Sequence, residues 1–115
     1  MTFLIGGHGA GQMEYLYERM GYRKDQCSDL PESPLPVLTN FHLLAGKFSE
    51  KQLIEWVRKK EVVVTEEVGC GIVPIDPKER VFREEAGRIS IAAAKEAKEV
   101  IRFVCGMPQW LKGGK

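Results

Sequence analysis

The chain has 115 residues and a mass of 13.0 kDa, which suits one domain and leaves little room for two. Its 17 Lys and Arg stand against 16 Asp and Glu, a formal net charge of +1, so no global field draws it to nucleic acid or an anionic membrane. The 43% hydrophobic and 29% charged residues argue against wholesale disorder, and no apolar run approaches the roughly 20 residues of a membrane-spanning helix.

In chain order, residues 2–5 (Thr-Phe-Leu-Ile) form a short apolar run stopped by Gly6-Gly7, the pattern of a buried strand. Met13, Leu16, Tyr17 and Met20 then follow i, i+3, i+4, i+7 spacing, one apolar helical face with Gly21 placed to end it. Residues 25–36 hold three of the six prolines and read as a loop. Residues 37–44 begin like a short strand and end in a segment able to turn helical. Ser49 with Gln52 is a capping-box pattern, followed by an apolar face of Leu53, Ile54, Trp56 and Val57. Arg58, Lys59 and Lys60 are expected in that helix's last turn, where cations suit the dipole.

Val62-Val63-Val64-Thr65 is β-branched throughout and predicts a strand. Asp76, Pro77 and Glu79 predict a helix start, with the helix running to about Lys98. Val81, Phe82, Ile89, Ala92, Ala93 and Ala97 form its expected buried stripe. Val100 to Cys105 reads as a last strand stopped by Gly106, with Cys105 as a small core residue. The tail from Met107 mixes apolar anchors with flexible basic residues. Strands alternating with helices, the strands nearly continuous in apolar residues, predict an α/β fold with a mostly parallel sheet.

Ligands of such sheets sit outside the carboxyl ends of the strands, and both glycine clusters fall there. The first, Gly6-Gly7-His8-Gly9-Ala10-Gly11-Gln12-Met13, has the frame of the phosphate-binding loop GxxxxGK[ST], between a strand and a helix. In that loop, backbone N–H groups converge on phosphate oxygens, a lysine reaches the β- and γ-phosphates, and a hydroxyl meets Mg²⁺. Here Gln12 takes the lysine's place without its charge. Met13 takes the hydroxyl's place and offers only a soft, weak acceptor. The segment therefore reads either as an anion-holding loop or as a tight strand-to-helix turn. The second cluster is Glu66-Glu67-Val68-Gly69-Cys70-Gly71. A carboxylate there could act as a base or meet Mg²⁺ through water; a solvated acidic pair is the plainer reading.

His8 and His42 are the only histidines, and neither has Asp or Glu at metal-ligand spacing. His8 is placed to contact an anion bound at the loop. Three cysteines without CxxC spacing argue against a disulfide framework or a structural zinc. The first residues lack a basic stretch and a long apolar segment, so a cytoplasmic location is expected.

The run from Val62 through Val73-Pro74, then Phe82-Arg83 and Gly87-Arg88, resembles the adenosylcobinamide kinase/adenosylcobinamide-phosphate guanylyltransferase family. So do the closing segment from Ala97 to Lys112 and the opening Ile5-Gly6-Gly7 with Gly11. The resemblance implies a single P-loop NTPase-like (RecA-like) α/β domain over residues 1–115, truncated relative to full-length members. It implies cobalamin biosynthesis, with phosphoryl or nucleotidyl transfer to a cobinamide-type corrinoid, GTP or ATP with Mg²⁺, and a homo-oligomer. On this reading Gly6, Gly7 and Gly11 lie on the phosphate loop, with Gln12 and Met13 replacing its Lys and Ser. Glu67 and Gly69 lie on a strand-end Glu-Val-Gly, and Arg88 on a Gly-Arg pair. Residues 21–49 are much shorter than the family's stretch that carries the guanylylated histidine, and His42 and Asn40 align with a later strand. The expected site is therefore Glu67 as the catalytic group, with Gly6 through Met13, Gly69 and Arg88 on the nucleotide. Another Lys or Arg, such as Arg88 or Lys112, is a candidate to replace the missing lysine. A non-catalytic binding module and a structural partner in an oligomer are the alternative readings.

Overall fold

The computed structural model describes residues 1–68 and 76–114. Among these residues six strands form one sheet: β1 (Thr2–Gly6), β2 (Cys27–Ser28), β3 (Val37–Leu38), β4 (Val62–Glu66), β5 (Glu99–Val104) and β6 (Met107–Lys112). The helices are α1 (Gln12–Glu18), α2 (Glu50–Val57) and α3 (Pro77–Glu96), with short 3-10 turns at Lys24–Gln26 and Phe41–Leu44. The spatial order is β2-β3-β4-β1-β5-β6. Every neighbouring pair is parallel except β5 and β6. This is the α/β, mostly parallel architecture expected, consistent with a truncated P-loop-like fold.

Strand alternation sends successive side chains to opposite faces. Phe3, Val63 and Val100 face α2, α3 and the Phe41–Leu44 turn, where they meet Phe41, Leu53, Val57, Ile89 and Ala93. Phe3 meets Phe41 edge-on at 6.1 Å between ring centroids. Leu4, Val62, Val64, Ile101 and Phe103 face the other way, toward Leu16 of α1. Burying each such side chain contributes roughly 1.5–3 kcal/mol, so the face covered by two helices holds the larger share of the apolar stabilisation.

The helix starts agree with their sequence signals. Ser49 Oγ accepts the Gln52 N–H at 3.2 Å, and Asp76 Oδ1 accepts the Lys78 N–H at 2.9 Å with Pro77 in the first turn. Several details differ from expectation. β2 lies within the proline-rich loop; two residues suffice at a sheet edge. The tail is β6 because Cys105 (φ 51°) and Gly106 (φ 77°) both take the left-handed conformation that a two-residue hairpin turn needs. Cys105 is consequently exposed rather than in the core.

On α3, Val81 is exposed and Ala86 is buried in line with Ile89, Ala93 and Ala97. On α1, Tyr17 is exposed, while Tyr15 packs on Phe103 at 5.2 Å. α2 stops at Val57, so Lys59 and Lys60 are not in its last turn. Lys60 is buried and its Nζ donates to the carbonyls of Ser33 (2.5 Å) and Leu35 (2.9 Å), tying down the proline-rich loop. Cys70 and Gly71 lie outside the described residues.

Candidate functional site at the carboxyl ends of the strands

The loop after β1 is shaped by its own backbone. Ala10 N–H donates to Gly7 O at 3.1 Å, closing a tight turn. Gly11 has φ 111°, a left-handed value that disfavours a side chain, and a Cβ there would stand 3.0 Å from Gly106 Cα. Gly106 N–H in turn donates to Ala10 O at 2.8 Å. The β5–β6 turn therefore buttresses the glycine loop from outside. α1 is only seven residues long, too short for a strong dipole contribution.

Gln12 is buried, and its side-chain nitrogen donates inward to Gly6 O (2.9 Å) and Thr65 O (3.1 Å), with Gly7 O at 3.3 Å. Its amide thus braces the ends of β1 and β4, where a phosphate-loop lysine would carry its charge. Met13 beside it is half-buried.

A cavity of about 520 Å³ opens on the α1 side of the sheet, at the carboxyl ends of β1 to β4. His8, Gly9, Gln12 and Met13 form its loop wall, and Glu14 and Tyr17 its α1 wall. Asp29, Thr39 and Asn40, just past β2 and β3, form the opposite wall, with Glu66 at the end of β4 and Lys24 beside them. Asp29 Oδ1 accepts from the Thr39 hydroxyl and from Asn40 Nδ2 (3.1 Å), so the carboxylate is held in one orientation. His8 Nδ1 lies 3.3 Å from both Glu66 carboxylate oxygens, bridging loop and strand end. Behind Glu66, buried His42 accepts its backbone N–H at Nδ1, at 3.2 Å. Burial pushes the His42 pKa below its ordinary value, against the opposing pull of Glu66. Burial, then Asp25, pushes the Cys27 thiol up, which leaves it a poor thiolate nucleophile near neutral pH.

Of the loop residues read from the sequence, His8, Gly9, Gln12 and Met13 line the cavity, while Gly6, Gly7, Ala10 and Gly11 set the shape of the loop. Glu67 points the other way: its carboxylate pairs with Arg102, Nε to Oε1 at 2.8 Å, and Glu66 is the acid at the cavity. Arg88 sits on the exposed side of α3 beside Glu85, away from the cavity lining. Lys112 donates to the carbonyls of Ala94 and Lys95 at the end of α3, so it is neither simply solvated nor near the loop. Gly69 lies outside the described residues. Lys24, Asp29 and Thr39 were not foreseen. The run Arg23-Lys24-Asp25 carried a charge signal, but Asp29 follows a strand too short to recognise.

Among the described residues no three His, Cys, Asp or Glu gather to hold a metal, and no helix is long and apolar enough to cross a membrane. A glycine loop and a cavity at the carboxyl edge of a mostly parallel sheet define a P-loop-like α/β protein. The family described as cobinamide kinase / cobinamide phosphate guanyltransferase matches residues 44–111, from the second 3-10 turn into β6. The match covers more than half of the chain, and the chain belongs to that family. Membership supports a role in cobalamin biosynthesis, in a family that uses nucleotides. The glycine loop lies N-terminal to the matched stretch. No curated protein matches the chain.

Proposed function

We propose that the chain is a nucleotide-binding member of this family that takes part in phosphoryl or nucleotidyl transfer to a cobinamide-type substrate. The supporting observation is the cavity itself, walled by the glycine loop on one side and by Asp29 and Asn40 on the other. In this reading the loop's backbone N–H groups face the nucleotide phosphates. Lys24 supplies positive charge in place of the lysine that Gln12 replaces, and His8 offers a ring N–H beside it. Mg²⁺ enters with the phosphates, since it binds through one or two carboxylates plus phosphate oxygens. The Asp29 carboxylate is an oxygen donor of that kind, and the Met13 thioether is not. Residues 1–115 act as a single domain, cytoplasmic and homo-oligomeric.

The inward-turned Gln12 amide favours a second reading, a binding module without turnover. Phosphoryl transfer rests on positioning and charge stabilisation, and the Gln12 nitrogen is spent on backbone carbonyls. Calorimetric titration with GTP and ATP, with and without Mg²⁺, tests the binding. Micromolar, Mg²⁺-dependent affinity is expected, and an absence of heat with either nucleotide overturns the proposal. Turnover with cobinamide then separates enzyme from binding module.

A further inference from the structure

The cavity wall at Glu66 is held from behind by a side chain that does not line the cavity. His42 is buried in the Phe41–Leu44 turn, and its Nδ1 takes the backbone N–H of Glu66, the last residue of β4. An N–H can only donate, so Nδ1 carries no proton, and the neutral ring holds its hydrogen on Nε2. The bond from Glu66 N–H to His42 stands at the last residue of β4, beyond the end of β3 on that edge. The same residue's carboxylate lines the cavity and meets His8 of the glycine loop.

We infer that His42 is a positioning residue: in its Nε2–H form it fixes the end of β4, and through it the place of the Glu66 carboxylate opposite the glycine loop. This rests on the cavity being the nucleotide site. A protonated His42 would present N–H to N–H, losing the bond and leaving a buried donor without an acceptor. The charged group acting on His42 is Glu66 of β4; its own turn is otherwise apolar, with Phe41 and Leu44 buried beside it. On the α3 side Ala86 and Ile89 are buried in the same core, and the half-buried, charged Arg83 lies one turn before Ala86. Acidification is expected to act on the contact with Glu66.

The test compares wild type with His42→Asn, whose side-chain oxygen can replace Nδ1 as acceptor, and His42→Leu, which cannot. Melting curves establish that each variant is folded. GTP–Mg²⁺ titration is expected to show near wild-type affinity for His42→Asn and an affinity about tenfold weaker for His42→Leu. Equal affinity in the folded Leu variant overturns the inference. Wild-type affinity is expected to fall on acidification below pH ~6.5 and that fall to vanish in His42→Asn. Repeating the series in a His8→Asn background removes the second imidazole beside Glu66. A fall that follows His8 and persists in His42→Asn overturns the inference.

A ligand-free readout keeps the two ideas apart. The Glu66 amide resonance should step with pH together with the His42 ring signals, with faster hydrogen exchange on the acid side. If GTP never binds but this step appears, the nucleotide reading fails and the positioning role stands. If the Glu66 amide ignores His42 protonation, the positioning role fails whatever GTP does.

Discussion

The two faces of the sheet are built for different purposes. The face toward α2 and α3 is a continuous apolar layer, with Phe3, Phe41, Leu53, Val57 and Val63 fully buried. The face toward α1 is covered by one seven-residue helix, and toward the carboxyl ends of the strands it opens into the cavity. Glu66 and Glu67 show the division within two residues. Alternation sends Glu66 to the cavity and Glu67 to an ion pair with Arg102. Both faces carry buried apolar residues, and the face toward α1 also carries the cavity.

Substitutions on the two faces should therefore separate stability from binding. The largest effect is expected for Phe3→Ala: a loss of about 3–5 kcal/mol in urea unfolding, as for a large core truncation. The fraction still folded should keep its affinity for nucleotide; a loss of both together would break the comparison. Gly11→Ala should cost about 1–3 kcal/mol, because φ 111° disfavours a side chain and Gly106 blocks the space. Unlike Phe3→Ala, it should also weaken nucleotide binding, since it distorts the loop wall.

Gln12→Lys sharpens the contrast further. A charged donor in the loop contributes about 1.5–3 kcal/mol to a phosphate contact, so GTP affinity by calorimetry should rise by about tenfold or more. Thermal stability should fall, because the buried amide bonds to Gly6 O and Thr65 O are lost. Unchanged affinity would mean the loop does not face the phosphates.

A smaller effect comes from His42, whose pKa is lowered on folding. The unfolded chain then binds more protons than the native one between the two values, and stability rises with pH there. That contribution is complete above about pH 6.5 and is lost as pH falls through the range below it. Urea midpoints taken across that range, compared with His42→Asn, check the sign. The smallest effect is expected for Arg58→Ala at its exposed pair with Glu96, where the melting temperature should not move measurably.

The apolar strands, the capped starts of α2 and α3 and the glycine loop were legible because each rests on local chemistry. Ser49, Asp76 and the Val62–Thr65 run act through neighbours a few residues away. β6 was not legible because its partner strand and the left-handed Cys105 are fixed by pairing rather than by propensity. Lys60 misled for the same reason: its charge suits a helix end, but its acceptors are Ser33 and Leu35 in a distant loop. At the site, the loop wall could be read from glycines in sequence. The facing wall of Asp29, Thr39 and Asn40 exists only once β2 and β3 lie side by side. Choosing between Glu66 and Glu67 required knowing which face each residue takes.

β1 sits between β4 and β5, although it is the first strand in the chain. Its two hydrogen-bonded edges are completed by residues 62–66 and 99–103. β1 therefore gains its first partner only when residues 62–66 are available, and its second edge waits for β5. Such distant pairings make folding slow and late. The glycine loop, which hangs from the end of β1 and rests on the β5–β6 turn, can take its final form only when that hairpin closes.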